Sequence, residues 1–173
     1  SKPSQKNWQV RVVPNKYPAF RAEGKAQVTA DGLYQGTEAV GAHEVIVESR
    51  RHVASLAELN DQELALVMRA YRDRLQTMHD AGVYRYALLF KNVGPQAGAS
   101  LEHSHSQIIA TPFLPPEVAQ EVAGAERLYR QHRGCFFCRV IADETDHRHR
   151  LVAQTERFVA LCPYASRMPY EMW

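Results

Sequence analysis

Long apolar runs are missing from this sequence. No stretch approaches the roughly 20 apolar residues that cross a bilayer, and the opening Ser1-Lys2-Pro3-Ser4-Gln5-Lys6 lacks the apolar core of a signal peptide. A membrane partner is therefore not expected, and the chain reads as cytoplasmic. Blocks of one charge are missing too. The 21 lysines and arginines are interleaved with 19 acids, for a formal charge of +2, so no basic stripe exists to track a phosphate backbone and no nucleic-acid partner is expected. Cysteine is scarce: the odd count of Cys135, Cys138 and Cys162 argues against a disulfide framework and for metal or redox chemistry in a reducing compartment.

What is present is an ordinary globular mixture, 45% hydrophobic and 23% charged, which excludes a disordered chain. A length of 173 residues allows one full domain plus part of another. Residues 8–13 alternate as a strand and run into a loop at Pro14-Asn15-Lys16-Tyr17-Pro18. An excursion or hairpin fits residues 24–36, and the β-branched residues 43–48 form a second strand. Leu64, Val67, Met68, Leu75 and Met78 recur at helical spacing between a cap at Asn60 or Asp61 and Gly82, predicting a helix to Ala81. Strands follow at 84–92 and 106–111, separated by a small-residue loop at 94–100, and a helix at 117–132 enters after Pro116 and stops before Gly134. Composition changes near Gly134, after which 151–155 and 158–162 read as a hairpin. That hairpin runs into residues 163–170 much as residues 10–13 run into 14–18, suggesting a weak internal duplication. The connections are too variable for a doubly wound sheet, so the class is α+β, an antiparallel sheet backed by helices.

The chemistry concentrates between Asn92 and Gln107. In an extended segment His103, His105 and Gln107 share one face, while Ser104 and Ser106 take the other. An imidazole is a good phosphorus nucleophile: it is largely neutral near pH 7 and departs readily once it carries a phosphoryl group. The Gln107 amide can fix a phosphate oxygen or orient an imidazole without adding charge. Gly98, Ala99 and Ser100 can bring backbone N–H groups and a hydroxyl to phosphate oxygens, and Asn92 adds a neutral amide at a strand end. Two histidines alone could merely decorate a solvated strand; this company makes them a candidate site.

The run from Ser100 to Ala110, with His103-Ser104-His105-Ser106-Gln107 at its centre, resembles the active-site strand of the galactose-1-phosphate uridylyltransferase family, a branch of the histidine-triad superfamily whose usual form is His-Pro-His-Gly-Gln. Residues 12–19 resemble that family's base-binding loop, residues 90–94 its phosphate-binding strand end, and residues 163–173 the start of its second repeat. The resemblance implies a histidine-triad-like first domain over 1–133 and the beginning of a truncated second repeat over 134–173, with an absent segment or another subunit covering the open sheet edge. It implies that His105 becomes nucleotidylated and that Gln107 holds the phosphoryl oxygens. Asn92 and Ser100 would bind phosphates, and Asn15 with Val45 would lie beside the base and ribose. The expected reaction moves a nucleoside monophosphate, UMP first, between a nucleoside diphosphate sugar and a hexose 1-phosphate, as in galactose metabolism. Ser104 and Ser106 depart from the usual motif in the manner of an ADP-glucose phosphorylase-like branch, so adenylyl transfer is the second reading. A histidine-triad hydrolase is a third, against which Gln107 argues because such enzymes carry a third histidine there. A nucleotide- or zinc-dependent binding module is the non-enzymatic alternative. A homodimer is implied by the family alone.

Zinc is the expected cofactor. His52 and His103 match two ligands of a structural zinc site whose cysteine partners would precede Ser1, although His52 taken by itself is a loop histidine. Cys135-Phe136-Phe137-Cys138 has the spacing of a zinc half-site, with His147 and His149 as local candidates and a pair of free thiols as the equal alternative. Glu121 matches a further metal position in some members and fits a solvated helix face equally well. Cys162 reads as core.

Overall fold

The computed structural model describes residues 7–99 and 101–173. Its contacts divide the chain into two compact units, Ser1–Pro115 and Pro116–Trp173. The first contains strands β1 (Arg11–Pro14), β2 (Val28–Asp31), β3 (Tyr34–Thr37) and β4 (Ala42–Val47), helix α1 (Asp61–Asp80), and strands β5 (Tyr86–Phe90) and β6 (His105–Thr111). The second contains helices α2 (Pro116–His132) and α3 (Phe136–His147) and the antiparallel hairpin β7 (Leu151–Gln154) and β8 (Val159–Leu161). The composition change at Gly134 marks the turn between α2 and α3.

Four strands form one antiparallel sheet in the order β1-β4-β6-β5, while β2 and β3 pair as the separate hairpin expected from the sequence. The α+β class therefore holds. Register decides what each face carries, because paired residues in an antiparallel sheet point the same way. Val45 pairs with Gln107 and with Val13, Val47 with His105, and Phe90 with Gln107. That row is one face. Ile46, Ile108, Ala110, Ala87 and Leu89 belong to the opposite face, and α1 covers it.

Helix α1 begins with a capping box, Asn60 accepting from the Glu63 N–H and Glu63 reaching back to the Asn60 N–H, both at 3.0 Å. Its buried stripe is Val67, Tyr71 and Met78, whereas Met68 and Leu75 of the sequence pattern face outward. Tyr71 belongs to the stripe because its hydroxyl finds partners in the sheet, as buried tyrosines require. Full burial of Ile46, Ile108 and Val67 contributes roughly 1.5–3 kcal/mol each. Arg74, on the same side of the helix, grips Glu44 of β4 with two hydrogen bonds of 2.8 and 2.7 Å.

One local expectation is corrected. Pro14 pairs with Glu44 at the end of β1 instead of opening the loop; a sheet tolerates proline there because β1 is an edge strand and its missing N–H is not needed. The segment after Cys135, to which the sequence reading assigns no element, is helical over Phe136–His147. Among the described residues no helix is long and apolar enough to cross a membrane.

Gly41 leads the chain into β4, and a Cβ there would lie 2.2 Å from the Ala110 carbonyl oxygen of the neighbouring strand. Backbone cannot yield as a side-chain tip can. Gly41→Ala is expected to destabilise the protein by about 1–3 kcal/mol, while Gly124→Ala, in α2 with nothing nearer than 3.9 Å, should stabilise its unit by about 0.5–1 kcal/mol. Urea denaturation of both variants checks the opposite signs.

Candidate active site

Strand β6 lies between β4 and β5, and its alternation gives it two different faces. His105 and Gln107 project to the face that α1 leaves open, with Val45 and Val47 as their partners on β4. Ser104 and Ser106 flank His105 on the other side of the strand and are buried at 2% exposure. Both directions are built with polar contacts.

On the covered face the centre is Glu48, whose side chain is fully buried. Its carboxylate accepts from Lys91 Nζ at 2.6 Å, from Ser104 Oγ at 2.5 Å, from Ser106 Oγ at 2.5 Å and from the Tyr71 hydroxyl. Lys91 Nζ also donates to Ser104 Oγ at 2.9 Å and to the His105 carbonyl at 3.0 Å. Burial by itself would push the Glu48 carboxyl up, but hydrogen bonds from Lys91, Ser104, Ser106 and Tyr71 outweigh it, and the group titrates below the ordinary glutamate range. Burial, then the Glu48 carboxylate, pushes the Tyr71 phenol up, so it stays protonated as a donor.

On the open face the His105 ring is fixed by its own strand. Nδ1 stands 2.8 Å from the His103 carbonyl oxygen. A carbonyl only accepts, so Nδ1 carries the hydrogen, and in the neutral ring Nε2 keeps its lone pair. Gln107 Oε1 lies 2.8 Å from His43 Nε2 and 3.2 Å from Asn15 Nδ2, and His43 Nδ1 lies 2.9 Å from the Ala19 nitrogen. A cavity of about 530 Å³ is lined by His105, His103, His52, Asn92, Lys91 and Gly94, among others. That volume suits a small polar ligand.

The structure thus gathers Asn92, His103, His105 and His52 around one cavity, with Val45 and Gln107 paired on the same sheet face and Asn15 hydrogen-bonded to Gln107. Ser100 lies outside the described residues. His103 itself falls before β6 begins and turns its Nε2 to the Ser49 carbonyl at 2.7 Å. The residues not foreseen are His43, Glu48, Lys91 and Tyr71. For His43 a signal existed: the period-2 alternation of β4 puts it on the face of Val45.

The metal candidates form two incomplete sets. The His52 and His103 rings stand edge to face with centroids 5.3 Å apart, and the Glu102 carboxylate is 3.9 Å from His52 Nε2. Cys135, the N-cap of α3, and Cys138 are both exposed. Hydrogen bonds from the Cys138 backbone N–H and thiol pull the Cys135 thiol down, and the same Cys135 contact pushes Cys138 up. His147 and His149 stack on each other with centroids 6.2 Å apart, and Glu121 is in an exposed ion pair with Arg167 at 3.1 Å. Among the described residues no three His, Cys, Asp or Glu side chains are grouped to hold a metal ion. Two imidazoles or two thiols fall short of the four ligands of a structural zinc.

The domain described as "Galactose-1-phosphate uridyl transferase, N-terminal domain" matches residues 2–115. The ADP-glucose phosphorylase of Arabidopsis thaliana is 31% identical over 169 residues, 96% of this chain and 47% of that protein. The galactose-1-phosphate uridylyltransferase of Thermotoga maritima is 30% identical over 159 residues, covering 91% of this chain and 49% of that protein. A solved uridylyltransferase structure superposes with a TM-score of 0.87 at 32% identity, covering 96% of this chain and 53% of that one. The chain spans about half the length of the curated relatives it matches.

Removing the Glu48 carboxylate would leave the Lys91 ammonium, 18% exposed, without its counter-charge. Glu48→Gln should cost about 3–5 kcal/mol, the usual loss when one partner of a buried pair is removed. Because the folded-state value is depressed, the stabilisation is complete above the unfolded glutamate value and disappears as pH falls through the folded one. Denaturation at pH 7 and below pH 4.5 should show the gap between parent and variant narrowing in acid.

Proposed function

The chain belongs to the galactose-1-phosphate uridylyltransferase family, and on that premise we propose that it is a nucleotidyltransferase in which His105 carries a nucleoside monophosphate between two phosphate-bearing substrates. One observation carries the proposal. His105 donates from Nδ1 to the His103 carbonyl at 2.8 Å, so in the neutral imidazole Nε2 is the nitrogen with the lone pair, and the ring lines the cavity that Asn92 also lines.

In the first step Nε2 attacks the phosphorus bonded to the nucleoside of a nucleoside diphosphate sugar. A P–N bond forms, the P–O bond to the sugar phosphate breaks, and the sugar phosphate leaves with the electron pair. In the second step an oxygen of a hexose 1-phosphate attacks the same phosphorus and the imidazole departs. Gln107 holds the phosphoryl oxygens, Asn92 and Ser100 bind phosphates, and Asn15 and Val45 flank the base and ribose. Catalysis rests on orientation and on donors already in place where charge develops.

UMP is the favoured group, with galactose metabolism as its setting. The second reading, adenylyl transfer with phosphate or a sugar phosphate as acceptor, is favoured by the similarity to the Arabidopsis phosphorylase and by the serines at 104 and 106. Gln107 in place of a third histidine favours transfer over hydrolysis. The proposal extends to a cytoplasmic homodimer. Structural zinc is part of it only with ligands beyond those grouped here: His52 with His103, and Cys135 with Cys138, each supply half a tetrahedral set, and no chemical step depends on them.

Intact-protein mass spectrometry after incubation with UDP-glucose or ADP-glucose checks the proposal. A nucleotidyl adduct on the parent, absent from His105→Asn, is the expected result, and the productive donor identifies the base. Gln107→Ala should slow labelling by about 10²–10³, the usual loss for one donor to a developing oxyanion. No adduct from either donor on a folded parent would sink the mechanism.

A further inference from the structure

His43 has no role in that chemistry, yet both of its ring nitrogens are engaged. Nδ1 lies 2.9 Å from the Ala19 backbone N–H. A backbone amide can only donate, so Nδ1 accepts, and a neutral imidazole then carries its hydrogen on Nε2. That nitrogen is 2.8 Å from Gln107 Oε1. Asn15 is oriented in the same way. The Tyr17 backbone N–H donates to Asn15 Oδ1 at 2.9 Å, which leaves Nδ2 to donate to Gln107 Oε1 at 3.2 Å. The 3.0 Å approach of Asn15 Nδ2 to His43 Nε2 is then a contact between two donors sharing one acceptor. Two backbone N–H groups, acting through two side chains, determine which end of the Gln107 amide is oxygen and which is nitrogen.

We propose that His43 is a positioning residue for nucleotidyl transfer: its Nε2–H, with Asn15, ties down Gln107 Oε1 and leaves the Gln107 NH2 group facing the phosphoryl oxygens of the nucleotide. This rests on the His105 reading above. A free glutamine has no preferred amide orientation, and the two orientations have opposite consequences. An NH2 group attracts an anionic oxygen; the flipped amide presents an acceptor and repels it. Flipping Gln107 in place would set its NH2 against two donors, forfeiting both hydrogen bonds and leaving the His43 Nε2–H unpaired. The donor is therefore in position before charge builds on the phosphoryl oxygens, which is where a fixed dipole is most effective.

The parent chain with ¹⁵N-labelled histidine provides a readout that needs no turnover. Proton–nitrogen correlation spectra should show His43 protonated at Nε2 and hydrogen-bonded without a proton at Nδ1. The opposite tautomer overturns the proposal. His105 labelling rates from UDP-glucose and ADP-glucose are then compared for the parent, His43→Gln, His43→Phe, Gln107→Ala and the His43→Phe/Gln107→Ala double variant, with UMP and AMP affinities measured in parallel. His43→Phe should slow labelling by about 10-fold or more with nucleotide affinity changed by less than about 3-fold. His43→Gln, whose amide can donate from near the lost Nε2, should recover most of the rate. Adding His43→Phe to Gln107→Ala should bring no further loss, because the two changes remove one function. Parent-like labelling by His43→Phe, or a full further loss in the double variant, overturns the proposal. A folded parent that carries no nucleotide on His105 overturns the transfer reading instead, and the tautomer measurement then judges the His43 lock by itself.

Discussion

A buried carboxylate holds the candidate site in place. Glu48 sits at the end of β4 with its side chain out of water, which is tolerable only because a cation and three hydroxyls meet it. Two of the hydroxyls are the residues on either side of His105, and the cation also grips the His105 carbonyl. The strand bearing the proposed nucleophile is thus anchored from behind on both sides of that residue. The serines at 104 and 106, which depart from the family's proline and glycine, have a physical use here. They satisfy Glu48, and α1 supplies the remaining hydroxyl through Tyr71.

The open face follows a related logic with different donors. There the side chains of reaction are aimed by backbone groups: the His103 carbonyl sets the tautomer of His105, and the Ala19 and Tyr17 amides set His43 and Asn15. Backbone donors and acceptors cannot exchange roles, so orientation passes from them to side chains without ambiguity. The sheet register brings these chains together, pairing Val45 with Gln107 and Val47 with His105. A shift of one residue would exchange the two faces of β6 and send the histidine into the core.

Much of this was legible in the chain. The helix at 61–80 announced itself through a cap at Asn60 or Asp61 and apolar spacing, β4 through its β-branched run, and β5 and β6 through apolar runs bounded by turn residues. His105, Gln107 and Asn92 were visible as a group because they lie within sixteen positions. Helix α3 is not legible there, because nothing in the spacing of Cys135 and Cys138 distinguishes a metal half-site from the N-cap and first turn of a helix. In α1 apolar spacing points to Met68 and Leu75, and Tyr71 is buried instead because its phenol meets a carboxylate that apolarity does not reveal.

Sequence by itself determined the local matters: the periodicities, the caps, the α+β class and the residue types able to attack phosphorus, all set by interactions a few positions apart. Tertiary structure decided which end of Gln107 faces outward and why Glu48 can be buried as a charge. Each depends on partners 23 to 92 positions away. Hydrogen bonds act over about 3 Å in space, and separation along the chain carries no record of that distance until the sheet has closed.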